Sequence, residues 1–216
     1  MGDLPGSARV AGSPIMSPTR ESIAANLIAF PRQVLAPDGA RRAAVAILLS
    51  PREEQLTYIL TRRALTMRRG AGNYALPGGN QEHGEDAISA AVRETQEELG
   101  ITITRDLALG LLDDFLTLGG HVVTPVVFWS PVSLTLDPDP IEVGRAWFEP
   151  VSSLNHPDAP MAEPHPDGGE PILRMPADNT WINPPTAAWL YQFREVGLHG
   201  RHTRVVSVGQ PEWTAR

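Results

Sequence analysis

Apolar positions recur along this chain with different periods, and each period predicts a different element. Ala43–Leu49 is an unbroken apolar run of strand length, which reads as a strand buried on both faces. Leu56–Leu60 alternates, and Pro51-Arg52-Glu53-Glu54 before it reads as a turn, so the two runs predict a β-hairpin. Over residues 86–99 the period lengthens to that of a helix, ending at Gly100. At about 100° per residue, Ile88, Val92, Thr95 and Leu99 fall on one stripe, the expected core face. Strands are predicted at 101–112, 121–130 and 143–148, with Asp137-Pro138-Asp139-Pro140 as the turn before the last. A short helix carrying Ile23, Leu27 and Ile28 is expected to be capped by Ser17-Pro18 and stopped by Pro31. Another is expected near 185–195, followed by an irregular tail.

The remaining stretches lack periodicity. Residues 1–16 carry no apolar face and read as a mobile leader, which leaves 17–216 as one domain. The segment 155–180, rich in Pro, Asp and Gly, reads as a long loop. Strands and helices mixed in this order predict α/β layers without the strict alternation of a doubly wound sheet.

Composition narrows the chemistry by exclusion. There is no cysteine, which removes disulfides, thiolate nucleophiles and Cys-based zinc sites. A net charge of −7 argues against a surface that coats nucleic acid. No apolar run is long enough for a membrane span, and no apolar signal core stands at the N-terminus, so a cytoplasmic protein is the expectation. Monomer and homodimer are both left open. No Gly-x-Ser-x-Gly elbow, phosphate-loop lysine or His-Glu-x-x-His motif is present, and His83, His121, His156 and His165 lack ligand spacing.

The anomaly lies in the helix over 86–99. Glu94, Glu97 and Glu98 share one face, beside Ala87, Ala90 and Ala91. Acids three and four residues apart repel, and near a helix C-terminus the macrodipole disfavours them again. A solvated acidic face is the plain reading of such a cluster. A bound divalent cation is the alternative, since it reverses both penalties, and hard carboxylate ligands without Cys point to Mg²⁺ or Mn²⁺. The alanines would leave room for metal, water and phosphate. Just upstream, Leu76-Pro77-Gly78-Gly79 allows close approach of backbone to a ligand.

These residues resemble the Nudix box. Gly79, Glu85 and the run Arg93-Glu94-Thr95-Gln96-Glu97-Glu98-Leu99-Gly100-Ile101 match its fixed positions over residues 79–101, except that Thr95 stands where the family has an aliphatic residue. The resemblance implies an α/β/α sandwich around a mixed sheet, with the box as loop–helix–loop. It also implies metal ligation by Glu94, Glu98 and the Gly78 carbonyl with Glu97 close by, and Arg93 as the partner orienting Glu97 and Glu85. The base that activates water in such enzymes is often an acid outside the box. Glu142, before the strand at 143–148, occupies a comparable place, and Glu97 is its rival.

A second resemblance narrows the substrate. Ile59-Leu60-Thr61-Arg62-Arg63-Ala64 through Arg68-Arg69 and Gly72 to Leu76-Pro77-Gly78-Gly79 is similar to the signature of coenzyme A pyrophosphatases in that superfamily. Thr61, Arg63, Arg68, Gly72, Pro77, Gly78 and Gly79 are in register, while Ile59, Ala64 and Leu76 replace Leu, Ser and Phe. It implies cleavage of coenzyme A to 3′,5′-ADP and 4′-phosphopantetheine. Independently, Arg62, Arg63, Arg68 and Arg69 concentrate positive charge in an acidic protein, and guanidinium groups bind phosphate bidentately; Arg63 and Arg68 are the foremost candidates. Arginines facing solvent at a strand end are the plain alternative. The family's Ile-Trp-Gly-x-Thr-Ala block is replaced by Trp181-Ile182-Asn183-Pro184-Pro185-Thr186-Ala187, which puts the pantetheine end of the pocket in doubt. Two rival functions stay open: a Nudix enzyme acting on ADP-ribose, a dinucleotide or a nucleoside triphosphate, and a Nudix module that senses a nucleotide without cleaving it.

Overall fold

The computed structural model describes residues 18–215, so the expected leader and Ser17 lie outside the described residues. Helix α1 spans Arg20–Ala29 and is capped by Thr19, whose hydroxyl accepts from the Ser22 N–H while Ser22 answers to the Thr19 N–H. Ile23 and Leu27 are buried, but Ile28 is 81% exposed, because the helix turns only one narrow stripe to the core. The chain leaves the helix at Phe30 and Pro31 follows.

The predicted hairpin forms from β1, Arg41–Arg52, and β2, Gln55–Arg63, which pair antiparallel from Leu49–Tyr58 to the turn. The glycine-rich stretch contains two short strands that its composition hides, β3 at Tyr74–Ala75 and β4 at Gly78–Asn80. Helix α2 covers Ala87–Leu99, with Asp86 accepting from the Ser89 N–H at its start and Gly100 left-handed (φ 66°) at its end. Of the strand expected at 101–112, only β5 at Ala108–Leu111 forms. Residues 105–107 make a 3-10 turn, and Ile101 and Ile103 are buried without joining the sheet. Next come β6 at Phe115–Leu116, β7 at His121–Trp129 and β8 at Val143–Pro150.

The expected loop at 155–180 is a correction. It contains β9 at Met161–Glu163 and β10 at Ile172–Ala177, and with β11 at Thr180–Ile182 they make a three-stranded antiparallel sheet. Ile172, Met175 and Ala177 are buried, so a few apolar side chains among prolines and glycines suffice to anchor it. Helix α3, Thr186–Gln192, packs against β10 and continues as wider π-type turns through Phe193–Leu198.

The main sheet runs β3-β2-β1-β7-β5, with β4 on β1, β6 on β7 and β8 on β2. β1 and β7 are parallel from Arg41–His121 to Leu49–Trp129, and the other pairs are antiparallel, so the sheet is mixed. Side chains of β1 alternate between two cores. Ala43, Val45, Ile47 and Leu49 face α1 and α3, whereas Ala44, Ala46 and Leu48 face Ala90, Ala91 and Leu99 of α2. Helices thus cover both faces of the mixed sheet, the α/β layering expected of the chain. β1 holds β2 only at its far end, Leu49–Arg52, and takes β4 at Ala43–Val45. Where β2 and β1 part, the glycine loop and the acids of α2 come together.

Candidate active site

The site is built from the close approach of α2 to β1 and β4. Ala90 and Ala91 are fully buried against the sheet, so the alanine face is a packing surface and leaves no room for metal or phosphate. Its smallness lets the helix sit low, and the carboxylate of Glu98, only 6% exposed, accepts a hydrogen bond from the Gly78 N–H at 3.0 Å. The buried face is centred on Ala91, Thr95 and Glu98, with Ile88 and Val92 only half-buried at its margin. Thr95 is fully buried and donates its hydroxyl to the Ala91 carbonyl at 2.7 Å, which satisfies the one polar atom its side chain adds.

Two glycines of the loop are required by contact. At Gly78 (φ 153°) a Cβ would stand 2.2 Å from the Ala44 carbonyl oxygen. At Gly79 it would stand 2.4 Å from the carboxylate of Glu94. Any side chain at Gly79 would therefore displace the acid.

Arg93 organises the rim. Its guanidinium donates to Glu85 Oε1 and Oε2 at 3.2 and 3.1 Å, to Glu94 Oε1 and Glu97 Oε2 at 2.9 Å each, and to the Asn80 carbonyl at 2.8 Å. Hydrogen bonds from Arg93 hold the Glu85 carboxyl below its ordinary range. Glu97 lies outward with its side chain 59% exposed, so it stands beside Arg93 and not in the buried group.

The inner acids are under-compensated. Glu98 is pushed up to about 7, chiefly by burial and also by the neighbouring charges of Glu94 and Glu142, while the Gly78 N–H works against them. Glu94 is also raised by burial, against the hydrogen bond from Arg93. Glu142 faces both. It is exposed, and its backbone is pinned by the Ala64 N–H donating to its carbonyl at 2.9 Å. The segment before it caps α2, with the Asp137 and Asp139 N–H groups donating to the carbonyls of Leu99 and Glu98 at 2.9 and 3.0 Å. That packing, across more than forty residues of sequence, brings Glu142 to the box.

Among the described residues no three His, Asp or Glu side chains converge as a ready-made metal cage. One buried and one half-buried carboxylate beside main-chain oxygens nevertheless match Mg²⁺, which keeps waters and takes one or two carboxylates plus substrate phosphates. The donor set, all oxygen and short of positive charge, fits such a cation. Glu94, Glu98 and the carbonyl of Gly78 are the groups that could hold it.

A cavity of about 540 Å³ opens beside these acids. Gly78, Gly79 and Asn80 form its floor, and Arg63, Arg69, Gly70, Gly72 and Asn73–Leu76 also line it. Trp181, Asn183, Trp189 and Trp213 line it as well. The four arginines therefore part company. Arg63 is half-buried, lines the cavity and lies close enough to Glu98 to offset its charge. Arg69 also lines it. Arg62 turns away, donating to the Gly72 carbonyl at 3.0 Å with its guanidinium 5.8 Å from the centre of the Tyr74 ring. Arg68 is exposed and is not among the residues that line the cavity. β2 ends at Arg63, so alternation no longer decides which arginine faces inward. Sequence reasoning also missed Trp189 and Trp213 as wall residues, since nothing local distinguishes them from core or tail.

Among the described residues no helix is long and apolar enough to cross a membrane. Comparison with known proteins gives consistent kinship. A family model described as the NUDIX domain matches residues 40–167. The chain is 38% identical over 118 residues to a protein named uncharacterized Nudix hydrolase NudL from Photorhabdus laumondii, covering 53% of this chain and 62% of the relative. It is 34% identical over 117 residues to the protein of the same name from Escherichia coli K12, covering 54% of this chain and 60% of the relative. The chain thus spans about three-fifths of the length of these curated relatives. Among solved structures, a MutT/nudix family protein from Enterococcus faecalis aligns at TM-score 0.46 and 18% identity, covering 70% of this chain and 54% of that one.

Proposed function

The chain belongs to the Nudix family, and from that premise we propose that it is a divalent-metal pyrophosphohydrolase whose substrate is coenzyme A, cleaved to 3′,5′-ADP and 4′-phosphopantetheine. The observation that carries the reading is the position of Arg63 and Arg69, on the wall of a cavity whose floor is Gly78–Asn80, next to Glu98. Positive charge is thereby supplied to a ligand's phosphates at the mouth of an otherwise acidic site. Residues 17–216 act as one domain in this reading, because Trp181, Asn183, Trp189 and Trp213 near the C-terminus line the same cavity as Gly78–Asn80.

Each side chain then has a distinct task. Glu94 and Glu98 hold Mg²⁺ or Mn²⁺ with the carbonyl of Gly78. When bound, the cation neutralises the diphosphate and makes an attacking water more acidic. Arg93 positions Glu94 by a direct hydrogen bond and anchors the loop through Glu85 and Asn80. Glu142, the acid facing the pair from outside the box, takes the proton from water, with Glu97 the rival for that task. Arg63 and Arg69 grip phosphate, and positioning with charge neutralisation supplies most of the acceleration.

Mass spectrometry of products tests the substrate. Purified protein with Mg²⁺ should convert coenzyme A to 3′,5′-ADP and 4′-phosphopantetheine in preference to ADP-ribose, diadenosine polyphosphates and nucleoside triphosphates. Efficient turnover of ADP-ribose with coenzyme A ignored would overturn the assignment. Dephospho-coenzyme A isolates the 3′-phosphate. If Arg63 or Arg69 holds that group, kcat/KM should favour coenzyme A by roughly 10- to 150-fold, the effect of a charge-assisted bond of about 1.5–3 kcal/mol. Replacing that arginine by Ala should erase the preference. A ratio that survives both Arg63→Ala and Arg69→Ala would remove them from the 3′-phosphate.

A further inference from the structure

The cavity that Arg63 and Arg69 line is also lined by Gln210, Trp213 and Thr214. These three residues lie beyond the family-matched stretch 40–167, so the shared domain does not by itself complete the cavity. Their segment is firmly tied. Val205 is fully buried at its start, and the Gly209 N–H donates to the Pro171 carbonyl at 3.0 Å. A Cβ at Gly209 would stand 2.1 Å from the Glu170 carbonyl oxygen, so the close approach requires glycine. The Gln210 side chain then spans the β6–β7 turn, accepting from the Leu118 N–H at 3.1 Å and donating to the Leu116 carbonyl at 2.9 Å. After Pro211 comes a 3-10 turn, Glu212–Ala215. The Thr214 hydroxyl and N–H close it, donating to the Pro211 carbonyl at 2.6 and 2.9 Å.

On this well-tied base Trp213 is nevertheless 47% exposed. The rings of Trp147, Trp181 and Trp189 are each met edge-on by another ring, those of Tyr74, His156 and Phe115. Among the described residues no ring or arginine is seated against Trp213. A large aromatic surface left in water is an unused source of binding energy, and on the lining of a cavity it points to a ligand.

The chemistry of that ligand follows from the residues that share the cavity. Arg63 and Arg69 call for phosphate, and an indole ring calls for a flat ring to stack on it. A nucleotide carries both. A phosphopantetheine arm carries phosphate but otherwise a flexible chain, which covers little of a ring and loses rotational freedom in doing so.

We propose that Trp213 is a specificity-determining residue that stacks the base of the nucleotide half of the substrate, with Gln210 the positioning residue that holds its segment at the cavity. The proposal rests on the reading above for a nucleotide diphosphate substrate, but not on coenzyme A itself. Stacking reads the flat face of a base and not its edge, so this subsite favours nucleotides over the pantetheine arm without choosing among bases.

Calorimetric titration of the full chain without metal should compare adenosine 3′,5′-bisphosphate, ADP and 4′-phosphopantetheine in the wild type and three variants. Trp213→Ala should weaken both nucleotides by roughly 5- to 150-fold, the range for loss of one base–aromatic stack. It should bind 4′-phosphopantetheine as the wild type does. Trp213→Phe keeps a ring and should recover most of the loss. Gln210→Ala releases the segment and should weaken the nucleotides less than Trp213→Ala, again sparing 4′-phosphopantetheine. Quenching of indole fluorescence by ADP, present in the wild type, should be largely lost in Trp213→Phe. Unchanged nucleotide affinity in Trp213→Ala would overturn the proposal, as would a wild type that binds neither nucleotide. A loss shared equally by 4′-phosphopantetheine would show that the ring only supports the fold, which also defeats it. Wild-type nucleotide affinity in Gln210→Ala would end the positioning role. Failure of the coenzyme A assignment reads differently: coenzyme A is left uncleaved with Mg²⁺, yet ADP binding still depends on Trp213.

Discussion

Two pairs of acids are withdrawn from solvent in this protein, and their surroundings are opposite. Asp113 and Asp114, each 1% exposed, are saturated with donors. Asp113 accepts from the Gln33 N–H, Gln192 Nε2 and Arg204 Nη1 at 2.6, 2.7 and 2.6 Å. Asp114 accepts from Arg32, from the Leu35 N–H at 3.0 Å and from Thr124 Oγ1 at 2.6 Å. Glu98 has one backbone N–H, and Glu94 shares a single arginine with Glu85 and Glu97. Buried charge is tolerable when paired and hydrogen-bonded, and costly otherwise. The aspartates are thus complete within the chain and stitch its N-terminal loop and C-terminal tail to the sheet. The glutamates lack such a set of donors, and in the proposed reading a cation from outside completes them.

Removing one member from each pair should therefore break different properties. Glu98→Gln should lower kcat by about 10²- to 10⁴-fold, because it weakens a charge clamp worth several kcal/mol. Its metal-free thermal midpoint should stay level or rise, since an uncompensated buried charge is removed. A variant that unfolds would make Glu98 structural and dissolve the contrast. Asp113→Ala should do the reverse. It strands the Arg204 guanidinium and Gln192, at a cost of about 3 kcal/mol, or roughly 6–12 °C in thermal midpoint. Turnover of the folded protein should be retained, and a midpoint within a degree or two of wild type would show that the aspartates are dispensable.

A smaller effect sharpens the boundary of the glutamate group. Glu142→Gln should slow kcat by about 10²-fold with little change in KM if Glu142 accepts the proton. The same loss with a sharply raised metal requirement would make it a ligand, and no effect at all would transfer the task to Glu97. The smallest effect concerns Glu195, a third buried acid that follows the aspartate pattern. Burial pushes its carboxyl up, but hydrogen bonds from Arg201 and Arg194 outweigh this and leave it lowered. A carboxyl lowered by folding stabilises the fold above the ordinary carboxylate value of about 4.3 and loses that contribution as pH falls through its folded value. The thermal midpoints of wild type and Glu195→Gln should therefore differ most near neutrality and converge in acid. A gap independent of pH would show that the ion pairs contribute nothing.

The two pairs were not equally legible. Glu94 and Glu98 stand out in sequence because they break local helix rules within a few residues, and Gly78-Gly79 beside them signals close backbone approach. Asp113 and Asp114 break no local rule. Apart from Thr124, their partners lie 79 to 91 residues away in sequence, so only the folded chain reveals that they are structural. Likewise the period of β1 and α2 predicted both elements well, since core packing imposes it. The small sheet at 161–182 was hidden by prolines and glycines, because its anchoring comes from a few side chains meeting α3. The cavity lining was hidden for a similar reason: Trp189 sits within an apolar helix and reads as core, and only the folded chain brings it to the cavity.

The most direct test of the central claim is a Mn²⁺ titration followed by electron paramagnetic resonance on the metal-free wild type, Glu98→Gln and Asp113→Asn. The account predicts that the tightest Mn²⁺ binding weakens by about tenfold or more in Glu98→Gln and is unchanged in Asp113→Asn. Mn²⁺ bound equally well by all three proteins would contradict it.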